Sequence, residues 1–250
     1  GFTPLYVTCE KGHVGVVRLL LARKEIKINQ AGENGITPLF ITSQKGHVDV
    51  VRLLLARKEI QINQTGEGGV TPLWITCSNG HVDVVRLLLA RKAIHINQAR
   101  KDEITPLYIT CCNGHVDVVR LLLARKEIKI NQADAGGFTP LYVTSQKGHV
   151  DVVRLLLARK KIQINQAEER GKTPLYIACQ HNHVKVVNAL LAKKEIQINQ
   201  ADEDGHTPLY IACQHGHVKV VNVLLARTEI QINQAINDGT TTLLAACQYN

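Results

Sequence analysis

The stretch TPLYVTCEKGHVGVVRLLL, residues 3–21, decides how this chain folds. Thr3 followed by Pro4 is a helix start: the threonine hydroxyl can accept from a free amide of the first turn, and proline at the first helical position has no N–H to waste. Gly12 ends that helix, because glycine readily takes the left-handed conformation of a helix C-terminus. Val14, Val17, Leu20 and Leu21 then recur at helical spacing, which predicts a second helix over 14–23. EIKIN, residues 25–29, alternates polar and apolar side chains and reads as extended chain. AGENG, residues 31–35, is rich in turn formers. The unit is therefore two short helices and an extended excursion.

The same unit is written again and again. VVRLLLARK at 16–24 returns letter for letter at 50–58, 84–92, 118–126 and 152–160. Sliding the chain on itself gives units 1–34, 35–68, 69–102, 103–136, 137–170, 171–204 and 205–238, with a fragment at 239–250. A period of this size marks a solenoid or array, in which one unit cannot bury its apolar face and identical neighbours can. Tetratricopeptide repeats share the period, but their two longer helices have no place for a Pro and a Gly in every unit. The expectation is an all-α solenoid of helix-turn-helix units with β-hairpin/loop excursions, one domain over 1–250.

At these residues the sequence resembles the ankyrin repeat family. The matching signature is Gly-x-Thr-Pro-Leu, a short helix, Gly-His, a Leu-rich second helix and a hydrophobic-x-hydrophobic-Asn entry to a hairpin; here it reads GFTPLY, GHVGVVRLLL and IKIN. Three departures stand out. The period is one residue longer, in ARKEI, where the family commonly places a glycine-centred turn. The usual Thr-Pro-Leu-His is Thr-Pro-Leu-aromatic, at Tyr6, Phe40, Trp74, Tyr108, Tyr142, Tyr176 and Tyr210, and the last copy reads TTTLL. The resemblance implies a non-catalytic scaffold that holds a protein or peptide on the concave side formed by hairpin tips and first helices. It also implies that the histidine of Gly-His bonds backbone in the hairpin region.

Composition narrows the chemistry. The chain has 250 residues, 45% hydrophobic and only 4% aromatic, so its core is uniform and aliphatic. It has no methionine, and Gly1 is expected to lie inside a longer chain whose array continues past Asn250. No apolar run is long enough to span a membrane. Six cysteines (Cys9, Cys77, Cys111, Cys179, Cys213, Cys247) share one repeat position with Ser43 and Ser145, which calls for a small packing side chain in a reducing compartment, the cytoplasm or the nucleus. The net charge of +9 gathers in repeats one to five, and the basic residues form two ladders along the chain: Arg18, Arg52, Arg86, Arg120, Arg154, and Arg23, Arg57, Arg91, Arg125, Arg159, Lys193, Arg227. Placed on the second helices and interleaved with Asp49, Asp83, Asp117 and Asp151, they read as a solvated outer face, not a nucleic-acid surface.

No Walker loop, Gly-x-Ser-x-Gly or paired-cysteine motif occurs, so no catalysis, cofactor or metal is expected. The histidine ladder from His13 to His217 offers one side chain per repeat, too far apart to converge on an ion. In the pairs His181/His183 and His215/His217, with His206 nearby, the side chains are expected to diverge. Function should appear where copies disagree. The residue before Thr-Pro is apolar in five successive units, Phe2, Ile36, Val70, Ile104 and Phe138, then becomes Lys172, His206 and Thr240. With the polar neighbours Glu33, Lys45, Glu67, Lys101, Asp102, Cys112 and Lys147, these five make the candidate partner-binding strip of a monomeric scaffold. The alternatives are an array that binds a small ligand or nucleotide, near Trp74, Lys101 and Lys147, or a regulatory segment of a larger enzyme or channel. Hydrogen exchange is expected to be fastest over 205–250, where the copies are least alike.

Overall fold

A computed structural model describes residues 2–234, 236 and 237. Leu243, Leu244, Thr240 and Cys247, like the rest of the terminal fragment, lie outside the described residues. The chain divides into two compact units at Lys129/Ile130.

The first unit holds four helix pairs: α1 (Pro4–Lys11) with α2 (Val14–Leu21), α3 (Pro38–Lys45) with α4 (Val48–Leu55), α5 (Pro72–Asn79) with α6 (Val82–Leu89), and α7 (Pro106–Cys112) with α8 (Val116–Leu123). The second holds α9 (Pro140–Lys147) with α10 (Val150–Leu157), α11 (Pro174–Gln180) with α12 (Val184–Leu191), and α13 (Pro208–Gln214) with α14 (Val218–Leu225). Within each unit, first helices pack on first helices and second on second. Single 3₁₀ turns sit at Glu33–Gly35 and Glu67–Gly69. Among the described residues the excursions contain no strand: they are chains of turns, and the alternating EIKIN segment serves to bury Ile28, Ile62 and Ile96 beneath the helices.

Each first helix begins as Thr-Pro predicts. The threonine Oγ1 accepts from the backbone N–H three residues on, at 3.0–3.1 Å in all seven copies. At the other end Gly12, Gly46, Gly80 and Gly148 cap with φ between 73° and 76°. Glycine is needed there for a second reason. A Cβ on Gly80 would stand 2.7 Å from Nδ1 of His115 in the next repeat, and one on Gly148 2.6 Å from His183. The histidine rings therefore lie flat on the glycines that precede them by one repeat.

The second helices end at Leu21 and its equivalents, two residues earlier than the sequence predicts, and their C-caps remain right-handed (Ala22 φ −70°). Val51, Leu54, Val85 and Leu88 are fully buried. Each such aliphatic side chain contributes about 2 kcal/mol on removal from water, and every copy adds the same set. Val7 and Val16 are exposed in the first repeat, whereas their equivalents Ile41 and Val50, covered by α1 and α2, are buried.

Candidate partner-binding site

Three ladders of hydrogen bonds hold successive repeats in register and set the frame on which the variable residues stand. The first is histidine. Nε2 of His47, His81, His115, His183 and His217 lies 2.9–3.0 Å from the carbonyl oxygen of Glu10, Gln44, Ser78, Gln146 and Gln180. A carbonyl only accepts, so Nε2 carries the proton. The backbone partner lies in the last turn of the preceding first helix, not in the hairpin region; the ring is brought there by stacking on the capping glycine.

The second ladder is asparagine, which the sequence marked only as the end of a motif. Asn63 Nδ2 donates to the Ala93 carbonyl at 2.7 Å and its Oδ1 accepts from the His95 amide at 2.9 Å. Asn29, Asn97, Asn131, Asn165 and Asn199 repeat the pair of bonds. A side-chain amide thus stands in for the strand pairing that the excursions lack.

The third ladder corrects the reading of the arginines. Arg23 and its equivalents follow the second helix and do not belong to its outer face. The guanidinium groups of Arg57 and Arg91 donate to the Leu21 and Leu55 carbonyls, and those of Arg125 and Arg227 to Leu89 and Leu191 at 2.9 and 2.8 Å. Each caps the helix end of the repeat before it, the task a left-handed glycine performs elsewhere.

On this frame the hairpin tips close by backbone bonds, such as Gly32 N–H to the Ile36 carbonyl (2.9 Å) and Gly66 N–H to that of Val70 (2.9 Å). Ile36, Val70 and Ile104 stand half-buried in the first unit and Phe138 half-buried in the second, while Phe2 keeps 51% of its surface exposed. Phe2 stacks on Tyr6 with ring centroids 4.6 Å apart, and Phe138 on Tyr142 at 5.0 Å. Trp74 Nε1 donates to the Ile104 carbonyl at 2.9 Å, with the Arg100 guanidinium 5.0 Å above its ring. For Phe2 and Phe138 the aromatic column is therefore the floor on which the residue before Thr-Pro rests.

The polar neighbours are placed unevenly. Glu33, Glu67 and Lys101 are exposed at tips, and Lys45 and Lys147 are exposed at the last turns of α3 and α9. Asp102 is already paired with Arg100 at 2.9 Å. Cys112 is half-buried at the end of α7.

In the second unit an open cleft of about 500 Å³ includes Phe138, Tyr142, Gln146, Lys172, Ile177 and His181 in its lining. Burial, with Glu168 nearby, raises the Tyr142 phenol well above its ordinary range, and burial together with Asp202 does the same for Tyr176. Both hydroxyls stay protonated. His181 is held below its usual 6.5, first by desolvation and then by His183, His215, Lys147 and His217. The paired rings do not diverge: His181 and His183 stack at 6.1 Å, His215 and His217 at 5.6 Å. Asp202, Asp204 and His206 also bring three ligand atoms within 4.8 Å of one another. Oδ1 of Asp202 is committed to the backbone amides of Asp204 (3.1 Å) and His206 (2.8 Å), so its work is to close the tip.

The frame and its repeats define a class, and comparison with known proteins agrees. The family model for ankyrin repeats in three copies matches residues 1–66, 58–134, 92–168, 126–202, 162–236 and 198–250. The chain belongs to the ankyrin repeat family. Among solved structures, the crystal structure of the human ASB11 ankyrin repeat domain is similar over 92% of this chain and 100% of that one, with TM-score 0.75 and 24% identity. In all, 534 chains of solved structures match, so the fold alone names no partner. No curated protein sequence matches the chain. Ankyrin repeats are in general protein-interaction scaffolds and typically non-catalytic adaptors. Among the described residues no helix is long and apolar enough to cross a membrane.

Proposed function

We propose that this chain is a non-catalytic, monomeric scaffold of the cytoplasm or nucleus that holds a protein or peptide against its hairpin tips and first helices. One observation carries the reading. The residues before Thr-Pro vary while the hydrogen-bonded frame beneath them repeats, and Phe2, stacked on Tyr6, and Ile36, Val70 and Ile104 stand partly open near charged tips. A half-exposed apolar row with a polar rim has the anatomy of an interface. In the second unit Phe138 plays the corresponding part in its cleft. In the first unit Glu33, Glu67, Lys101, Lys45, Asp102 and Cys112 form the rim, the Arg100 pair limiting what Asp102 contributes, and in the second Lys147 is the polar neighbour of Phe138. The raised thiols of Cys9 (about 11) and Cys77 (about 12), both from burial, suit a reducing compartment where they pack and do not react.

The test is affinity capture followed by mass spectrometry, comparing the native chain with a variant carrying Ile36→Lys, Val70→Lys and Ile104→Lys. Repeat six already places Lys172 at this position, 5.7 Å from the Tyr176 ring, so the variant should fold. Partners retained by the native chain and lost by the folded variant support the reading. Partners held equally by both move the interface elsewhere.

A further inference from the structure

The repeat sequence is a built-in control for its own exceptions, and several converge on one place in the second unit. Between α10 and α12 an open cleft of about 430 Å³ is lined by Arg154, Lys185, Asn188, Ala189 and Lys193 over a floor that includes Leu157, Ala158 and Ala192. A neighbouring cleft shares Leu157, Ala158 and Lys193 and adds Arg159 and Lys160, with Glu195 its single carboxylate. The equivalent cleft of the first unit, between α4 and α6, measures only about 220 Å³ and is lined by Arg52, Leu55, Leu87, Ala90 and Arg91.

Four substitutions distinguish the two clefts. Ala189 replaces the leucine of Leu87 and removes the side chain that fills the smaller cleft. Lys185 replaces the aspartate of Asp83 while Asn188 replaces the arginine of Arg86, so an aspartate and an arginine give way to one lysine and a neutral amide. Lys193 replaces the arginine of Arg91. Where Arg91 gives its guanidinium to the Leu55 carbonyl, the Lys193 ammonium has no hydrogen-bond or ion-pair partner among the described residues, and neither has the Arg159 guanidinium. A further change removes a neutraliser. Arg57, Arg125 and Arg227 each pair with a glutamate two residues on, but after Arg159 that position is Lys161. Arg154 keeps an exposed pair with Asp151 at 3.4 Å, which is worth little.

We propose that this cleft binds a soluble polyphosphate anion. Five cations border the joined clefts, and lysine ammoniums meet phosphate oxygens as point charges without requiring a planar partner. The floor is small and aliphatic, with no aromatic ring for a nucleobase and no open strand edge for a peptide. A compact ligand carrying several negative charges fits these features better than a nucleic acid or an acidic protein segment. The site lies on second helices and does not depend on the partner surface proposed above.

The test is titration calorimetry with inorganic triphosphate at physiological salt, using the whole chain. Two variants restore what repeats two to five carry, which guards the fold: Lys185→Asp, and Ala189→Leu, which fills the cleft with no change in charge. Binding by the native chain that weakens about tenfold or more in each, with Lys219→Asp on α14 left near native, supports the proposal. Absence of binding overturns it. Equal weakening by Lys219→Asp overturns it too, because general charge attraction would then be the cause. A third overturning result is unchanged affinity in Ala189→Leu, which would show that the cleft has no part. Binding to phosphoinositide vesicles without binding to triphosphate would assign the surface to a membrane headgroup and refute the soluble ligand.

Discussion

The serine and cysteine column shows how a single repeat position can hold residues of unequal fitness. Ser145 Oγ donates to the Leu141 carbonyl at 2.7 Å, whereas Ser43 Oγ is buried with no hydrogen-bond partner among the described residues. Cys9 and Cys77 fill the same slot, each in a hydrogen bond with the threonine of the next first helix, Thr42 or Thr110. A thiol tolerates burial far better than an unsatisfied hydroxyl. Ser43→Cys should therefore raise stability by about 1 kcal/mol, while Ser145→Cys should be neutral or destabilising, since it gives up a made bond. Urea unfolding of both variants checks this; equal shifts would mean that slot volume alone decides. At the same scale, the sequon-like Asn63-Gln64-Thr65 has a structural explanation, because both polar atoms of the Asn63 amide are engaged in the ladder.

His181 gives a second residue-level expectation. Its pKa is lowered in the folded chain, so between about pH 6.5 and that lower value the unfolded chain binds more protons and stability falls as pH falls. His181→Asn introduces the residue found at Asn79 and Asn113, which donate to the Gln44 and Ser78 carbonyls. The variant should lose less stability than the parent between about pH 7 and pH 5. Parallel stability curves for the two proteins would show that His181 does not contribute to the acid sensitivity.

Among elements, the joint between the two helices of a repeat is where two constraints meet. Gly80 has φ 73° and a would-be Cβ 2.7 Å from the His115 ring; Gly216 has φ 64° with nothing among the described residues within 4 Å. Alanine at Gly216 should cost only the left-handed strain, about 1 kcal/mol. At Gly80 it must also displace His115 from the Ser78 carbonyl, for a total of roughly 2–3 kcal/mol. Comparable melting points for the two variants would refute the stacking argument.

This joint also shows what the sequence could and could not disclose. Thr-Pro and Gly-His could be read directly, because caps are local and their chemistry is carried by residues adjacent in the chain. The partners of His115, Asn63 and Arg125 lie 30 to 37 residues away, so the residue types pointed to structure but the atoms they meet did not. The longer period follows the same logic. Where a glycine-centred turn is missing, the last carbonyl of four second helices, at Leu21, Leu55, Leu89 and Leu191, is satisfied by the arginine of the next repeat. The candidate strip was legible as variation against a constant background. That Phe138 belongs to a cleft with Ile177 and His181 was not, because cleft walls come from different repeats.

For the whole molecule, near-identical units make an unusually clean test of what sets local stability. Helices α2 and α4 differ at one position, VGVVRLLL against VDVVRLLL, yet Val16 is 45% exposed where Val50 is fully buried, and Leu19 is 72% exposed. In a linear array, stability is the sum of each unit's own terms and its contacts with neighbours. With the first nearly constant, the second should dominate. Amide hydrogens of α1 and α2 should exchange faster than those of α3 through α6, and in the second unit α14, where Leu225 is 44% exposed and Leu191 of α12 only 3%, faster than α12. The expectation of fastest exchange over 205–250 is thereby testable at its described residues. The one difference within α2 can be removed: Gly15 has nothing among the described residues within 4 Å of its would-be Cβ, so Gly15→Asp makes α2 and α4 identical without a clash. If α2 of that variant still exchanges faster than α4, neighbour contact sets protection. If the two become equal, the glycine alone was responsible and the additive description of this array fails at its first interface.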